Sequence, residues 1–160
     1  MKYRVAFSLA LLTLASFTAQ AKYDGEDRGK PVMPSTVNAK FVQECAGCHM
    51  AFPPGLLPAA SWTKMMTGLD KHFDVDASVT PAEATEITNF LVKNASNRWT
   101  ATTAPLRITD SVWFKTKHSS REVAPAVWKR ASIKSASNCM ACHTGADKGD
   151  FNEHNIKIPK

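Results

Sequence analysis

No cysteine is spare in this chain. There are four in 160 residues, and all of them fall in two close pairs, Cys45 with Cys48 and Cys139 with Cys142. Long apolar runs are also missing: the one apolar stretch, Val5 to Phe17, is shorter than the roughly 20 residues a bilayer-spanning helix needs. Basic residues are never interleaved with aromatics in a way that would make a nucleic-acid surface, which argues against nucleic-acid partners. A βαβ pattern is absent around either cysteine pair, which excludes a thioredoxin-like redox site. No acid/base pair adjoins the cysteines to serve a peroxidase or reductase, so no catalytic residue is assigned and the chain reads as a non-enzyme.

What is present is a repeated pentad. Cys45-Ala46-Gly47-Cys48-His49 returns as Cys139-Met140-Ala141-Cys142-His143, and CxxCH is the attachment site of a c-type haem. Two intervening residues on a helical turn place both sulfurs on one side of the backbone, and the following His reaches the iron. The expected cofactors are two covalently attached haem c groups, with Cys45, Cys48, Cys139 and Cys142 as thioether positions. A four-cysteine zinc ribbon would place its pairs roughly 15 to 20 residues apart, whereas these lie near opposite ends of the mature chain. Disulfides across each pair are chemically open to an exported protein. Neither alternative explains a His after the second Cys both times.

Lys2 and Arg4, the apolar stretch and Ala19-Gln20-Ala21 read as a secretory signal peptide over residues 1–21, with a mature start at Lys22. Covalent haem then points to the periplasm. The net charge is +6, and +4 once Lys2 and Arg4 are removed by the same count, a modest basicity that suits docking to an acidic partner. Shared between two haems, the mature chain is too short to build two good cores from side chains alone. The porphyrins must supply apolar surface, and the apoprotein is expected to be largely unfolded.

The expected fold is all-α: two small cytochrome c-like lobes, residues 22–97 and 98–160, each wrapped around one haem, with long irregular loops. Lys22 to Pro34 reads as an extended surface leader. Ser35 or Thr36 caps a helix carrying Phe41 and Val42 into the first pentad, where Phe41 packs on the porphyrin. Prolines keep Met50 to Pro58 non-helical. Ser61 caps a helix through Trp62, Met65, Met66 and Leu69 that ends near His72. Thr80-Pro81-Ala82-Glu83 is a capping box opening a helix to about Ala95, with Ile87, Leu91, Phe90 and Ala84 on its buried side. The Ser/Thr/Asn-rich stretch from Asn94 to Thr103 marks the boundary. Beyond it, Asp110 or Ser111 caps a short helix to His118, a second helix forms around Trp128, and a third leads into Cys139. The tail from Gly145 closes over the haem.

The sixth ligand decides between electron transfer and chemistry on a bound molecule. His49 and His143 are the proximal candidates, which leaves His72, His118 and His154. His72 can fold back over the first porphyrin, His118 precedes the second pentad behind Trp113 and Phe114, and His154 reads as a polar surface residue. Among methionines, Met65 and Met66 have core spacing, Met50 is too near His49, Met140 is inside a pentad, and Met33 stays open. The metal-ligating candidates are thus His49 and His143 on one side, with His72 and His118 favoured for the other over plain solvation and Met33 still open. The rival reading is a small haem enzyme or gas-binding protein with one open iron position.

Several stretches together resemble the small bacterial dihaem cytochrome c family (DHC). They are Pro53-Pro54-Gly55-Leu56-Leu57-Pro58, Ser61-Trp62, His72-Phe73, Lys117-His118, Asn138 through His143, Gly149-Asp150-Phe151 and Ile158-Pro159. The resemblance covers nearly the whole mature chain. It implies a periplasmic electron carrier with two low-spin haems, His49 pairing with His72 and His143 with His118. It also implies a membrane cytochrome b as electron donor and a small high-spin, oxygen-binding cytochrome c as acceptor. A crossed pairing of the histidines stays open at this point.

Overall fold

The computed structural model describes residues 31–97 and 104–160. The expected signal peptide lies outside them, as do residues 98–103, beside the expected 97/98 boundary. Helices and short 3-10 turns are the only regular elements among the described residues; the two β-bridges are isolated.

The first helix, α1, spans Ala39–Cys45 and is capped by Asn38, whose Oδ1 accepts from Phe41 N at 2.7 Å. The expected cap was Ser35 or Thr36. Asn38 prevails because its amide also donates to Glu86 Oε1 at 2.7 Å, so a tertiary contact fixes where the helix starts. Helix α2 spans Ala59–Met66 and begins two residues before Ser61. Pro58 takes the cap position, its carbonyl accepting from Ser61 N and Trp62 N. Ser61 is thus inside the helix and fully buried. Trp62 Nε1 donates to Pro54 O at 2.7 Å and ties the proline loop to α2.

Helix α2 stops at Met66 rather than running to His72. A separate 3-10 turn, Leu69–Lys71, carries the chain onward with His72 as its C-cap. The capping box forms as expected: α3 spans Pro81–Lys93, with Thr80 and Glu83 exchanging side-chain and backbone hydrogen bonds. Its Ile87 and Leu91 are buried with Phe41, Leu57 and Trp62 in one core.

The second half is built differently. Ser111, not Asp110, caps α4, Val112–Lys117, accepting from Phe114 N at 3.1 Å. Around Trp128 there is only a 3-10 turn, Val127–Lys129. No helix leads into Cys139: Lys134 takes a left-handed φ of 65° and Ser137 N donates to Ser135 Oγ, local bonding that competes with helix. The second pentad instead opens on the 3-10 turn Cys139–Ala141. The tail returns along it, with Lys157 N donating to Cys142 O at 2.9 Å and Arg130 Nη1 to Pro159 O at 2.6 Å.

Residues 31–34 are not a free surface leader. Gly55 N donates to Val32 O at 2.8 Å, and a Cβ on Gly55 would lie 2.5 Å from Val32 Cα. Met33 rests on Gly149, whose φ of 80° and missing Cβ both suit glycine. The segment is held between the proline loop of the first half and the tail turn of the second.

Candidate functional site

The first pentad begins at the last residue of α1. Cys45 is half-buried there, while Cys48 and His49 leave the following turn exposed. His49 Nδ1 lies 2.7 Å from Met50 O. A ring nitrogen facing a carbonyl carries the proton, which leaves Nε2 with the lone pair a metal requires. Facing it is His72, with ring centres 6.1 Å apart and planes at 32°. A tight turn delivers His72: Phe73 and Asp74 have φ of 51° and 72°, and Val75 N donates back to His72 O at 3.1 Å. Left-handed backbone at two consecutive non-glycine residues is strain, retained here beside the candidate ligand His72.

At the second pentad, His143 is half-buried and faces His118, again with ring centres 6.1 Å apart, and here the planes stand at 73°. His118 caps the end of α4, and its Nδ1 is 3.1 Å from Phe114 O, the same tautomer-fixing contact. Phe114 stacks on the His118 ring at 4.1 Å and Trp128 lies 5.9 Å away. Phe151 lies 5.2 Å from His143. The structure thus brings His49 to His72 and His118 to His143. His154 is exposed, in the Glu153–Asn155 turn, and belongs to neither pair.

Burial lowers the proton affinity of His72, His118 and His143, and neighbouring positive charge adds to this at His72 and His143. The neutral imidazole is the form that ligates a metal. Burial pushes the Cys45 and Cys139 thiols up to about 11, with a smaller contribution from Glu44 at Cys45. Among the described residues no cluster of three or more His, Cys, Asp or Glu could hold a bare metal ion, and all four cysteines are unbridged.

His49 and His72 line a cavity of about 650 Å³, walled also by apolar residues such as Met65, Leu69 and Leu91. Phe114, Cys139 and Met140 line it too, so residues of both pentads border one space. Met33, the methionine left open by sequence, packs on Gly149 instead. The chemistry of the donors fits haem c. Two imidazoles on opposite sides of one metal, each at about 2.0–2.1 Å as in zinc–imidazole bonds, have ring centres roughly 6 Å apart. Sequence reasoning missed Arg107, which lines the first cavity although it lies beyond the expected boundary. It sits in a stretch without periodicity, so no signal marked it.

The sequence profile of the dihaem cytochrome c family matches residues 41–151. Among solved structures, the diheme cytochrome c from Rhodobacter sphaeroides is 43% identical with a TM-score of 0.66, over 72% of this chain and 98% of that one. The diheme cytochrome sb-DHC from Shewanella baltica OS155 is 34% identical with a TM-score of 0.67, over 76% of this chain and 93% of that one. No curated protein matches the chain.

Proposed function

The chain belongs to the dihaem cytochrome c family, an electron-transfer haem protein with two covalently bound haem c groups, and from that premise we propose that it is a periplasmic carrier whose two irons are each held by two histidines. The observation that carries this reading is the repetition of one separation, 6.1 Å between ring centres, at two unrelated histidine pairs. Cys45 and Cys48 would hold one haem, with His49 and His72 as axial ligands. Cys139 and Cys142 would hold the other, with His143 and His118.

The iron of the bound haem supplies the one-electron chemistry. The protein's own residues do the rest. Met50 O and Phe114 O fix the imidazole tautomers of His49 and His118, and hence their orientation. Phe114, Trp128 and Phe151 keep water from the second pair. With His49, His72, His118 and His143 all holding iron, neither haem would offer a place for a substrate, which is what a carrier rather than an enzyme requires. The wall shared by the two pentads suits electron passage between the haems.

A periplasmic location rests on the apolar stretch Val5–Phe17 and the Ala19-Gln20-Ala21 signal. No helix among the described residues is long and apolar enough to cross a membrane. The partners proposed are a membrane cytochrome b as donor and a small oxygen-binding cytochrome c as acceptor. Docking is supported by a charge difference: residues 31–97 carry four Lys/Arg against six Asp/Glu, and residues 104–160 carry ten against five. The second half is the one suited to an acidic surface.

The ligand pairs are tested by His72→Met and His118→Met in the holoprotein. An axial Met raises the haem potential, so each variant should move one of two redox waves upward and leave the other in place. A variant that moves neither wave removes its histidine from the scheme.

A further inference from the structure

Among the described residues, Arg107 is the only Lys or Arg in the wall of the first cavity. Its Cζ lies 4.0 Å from the centroid of the Phe73 ring, within cation–π range. Phe73 is the left-handed residue immediately after His72, and the turn it belongs to is closed by Val75 N bonding to His72 O. The guanidinium forms no ion pair among the described residues, so its planar fork of donors is unspent. Haem brings two carboxylates into whatever site receives it, and a guanidinium fork matches a carboxylate with two parallel hydrogen bonds.

Resting on the haem placement above, we propose that Arg107 binds a haem carboxylate at the first centre and, by stacking on Phe73, clamps the turn that presents His72. A fixed cation beside this haem favours the reduced iron, which carries one positive charge fewer than the oxidised iron. Arg107 thereby raises the first haem's potential from across the chain: it stands just before α4, in the half that holds the other pentad. It is a positioning residue, and the first centre is incomplete without this contribution from the second half.

The test is a redox titration of the holoprotein carrying Arg107→Gln or Arg107→Lys, in the wild-type and the His118→Met backgrounds. The second background marks which wave belongs to the second haem. R107Q should lower the unmarked wave, changing the electron distribution between the haems by about tenfold, or about 59 mV for one electron. R107K keeps the charge and should recover at least half of that shift. Both variants should speed hydrogen exchange at the Val75 amide, because neither keeps the planar stack on Phe73.

An unmoved wave, a shift in the marked wave, or an R107K shift equal to that of R107Q would overturn the carboxylate assignment. Unchanged Val75 exchange would overturn the clamp. If H118M itself moves neither wave, the ligand reading fails instead, while Arg107 is still judged by whether R107Q moves a wave that R107K restores.

Discussion

The two halves of this molecule hold the same pentad on different scaffolds. In the first, α1, α2 and α3 enclose a core of Phe41, Leu57, Trp62, Ile87 and Leu91, and the cavity beside His49 and His72 lies against it. In the second, one six-residue helix, a series of 3-10 turns and the irregular turn at Ile133 carry Phe114, Val127, Ile133 and Ala146 as the buried apolar residues. Helices that pack on one another bury apolar surface without a cofactor, whereas short turns do so poorly. The first half therefore has a core of its own, and the second depends on its haem and its tail.

Removing one attachment site at a time should give the largest effect. A holoprotein lacking the second haem through Cys139→Ala with Cys142→Ala should become sensitive to protease throughout residues 104–160. The matching Cys45→Ala with Cys48→Ala variant should retain slow amide exchange where α2 packs on α3. Equal sensitivity in both halves would end the comparison.

Core truncation sharpens it. Leu91→Ala opens a cavity at a fully buried position, and a loss of about 2–5 kcal/mol in stability to denaturant is expected with both haems bound. A smaller contrast concerns the strap between the halves. Gly55→Ala sets a methyl group against the Val32 backbone, where nothing flexible can yield. It should cost about 1–3 kcal/mol and expose residues 31–34 to faster hydrogen exchange.

Sequence legibility followed the same division. The capping box at Thr80, the buried Ile87 and Leu91, and the proline loop could be read because local chemistry and tertiary packing agree there. The start of α1 could not, since Asn38 prevails through Glu86, 48 residues away. Ser61 looked like a cap because of its residue type, but Pro58 already supplied the carbonyl. The helix expected before Cys139 failed to local Ser135–Ser137 bonding and the left-handed Lys134. Of the candidate site, the two pentads and the histidines that face them, His72 and His118, were legible from motif and count. Arg107 was not, because only the chain's return to the first cavity places it there.

The smallest effect is expected in acid. The Thr80 hydroxyl, with help from Lys40, holds the Glu83 carboxyl down to about 2, well below its ordinary value near 4.5. A depressed carboxylate contributes stability above its unfolded value and loses it as pH falls through the folded one. Wild type should thus lose stability between about pH 4.5 and pH 2 more steeply than Glu83→Gln, by a small margin because the group is still partly in contact with solvent. Parallel acid unfolding curves for the two proteins would remove this contribution.

The most direct test of the central claim is the visible spectrum of the reduced, purified protein before and after carbon monoxide. The two 6.1 Å histidine pairs predict an unchanged spectrum, since both irons would already hold two protein ligands. A shift worth about half of the haem absorbance would mean that one iron is open, contradicting a carrier in which every axial position is filled by His49, His72, His118 and His143.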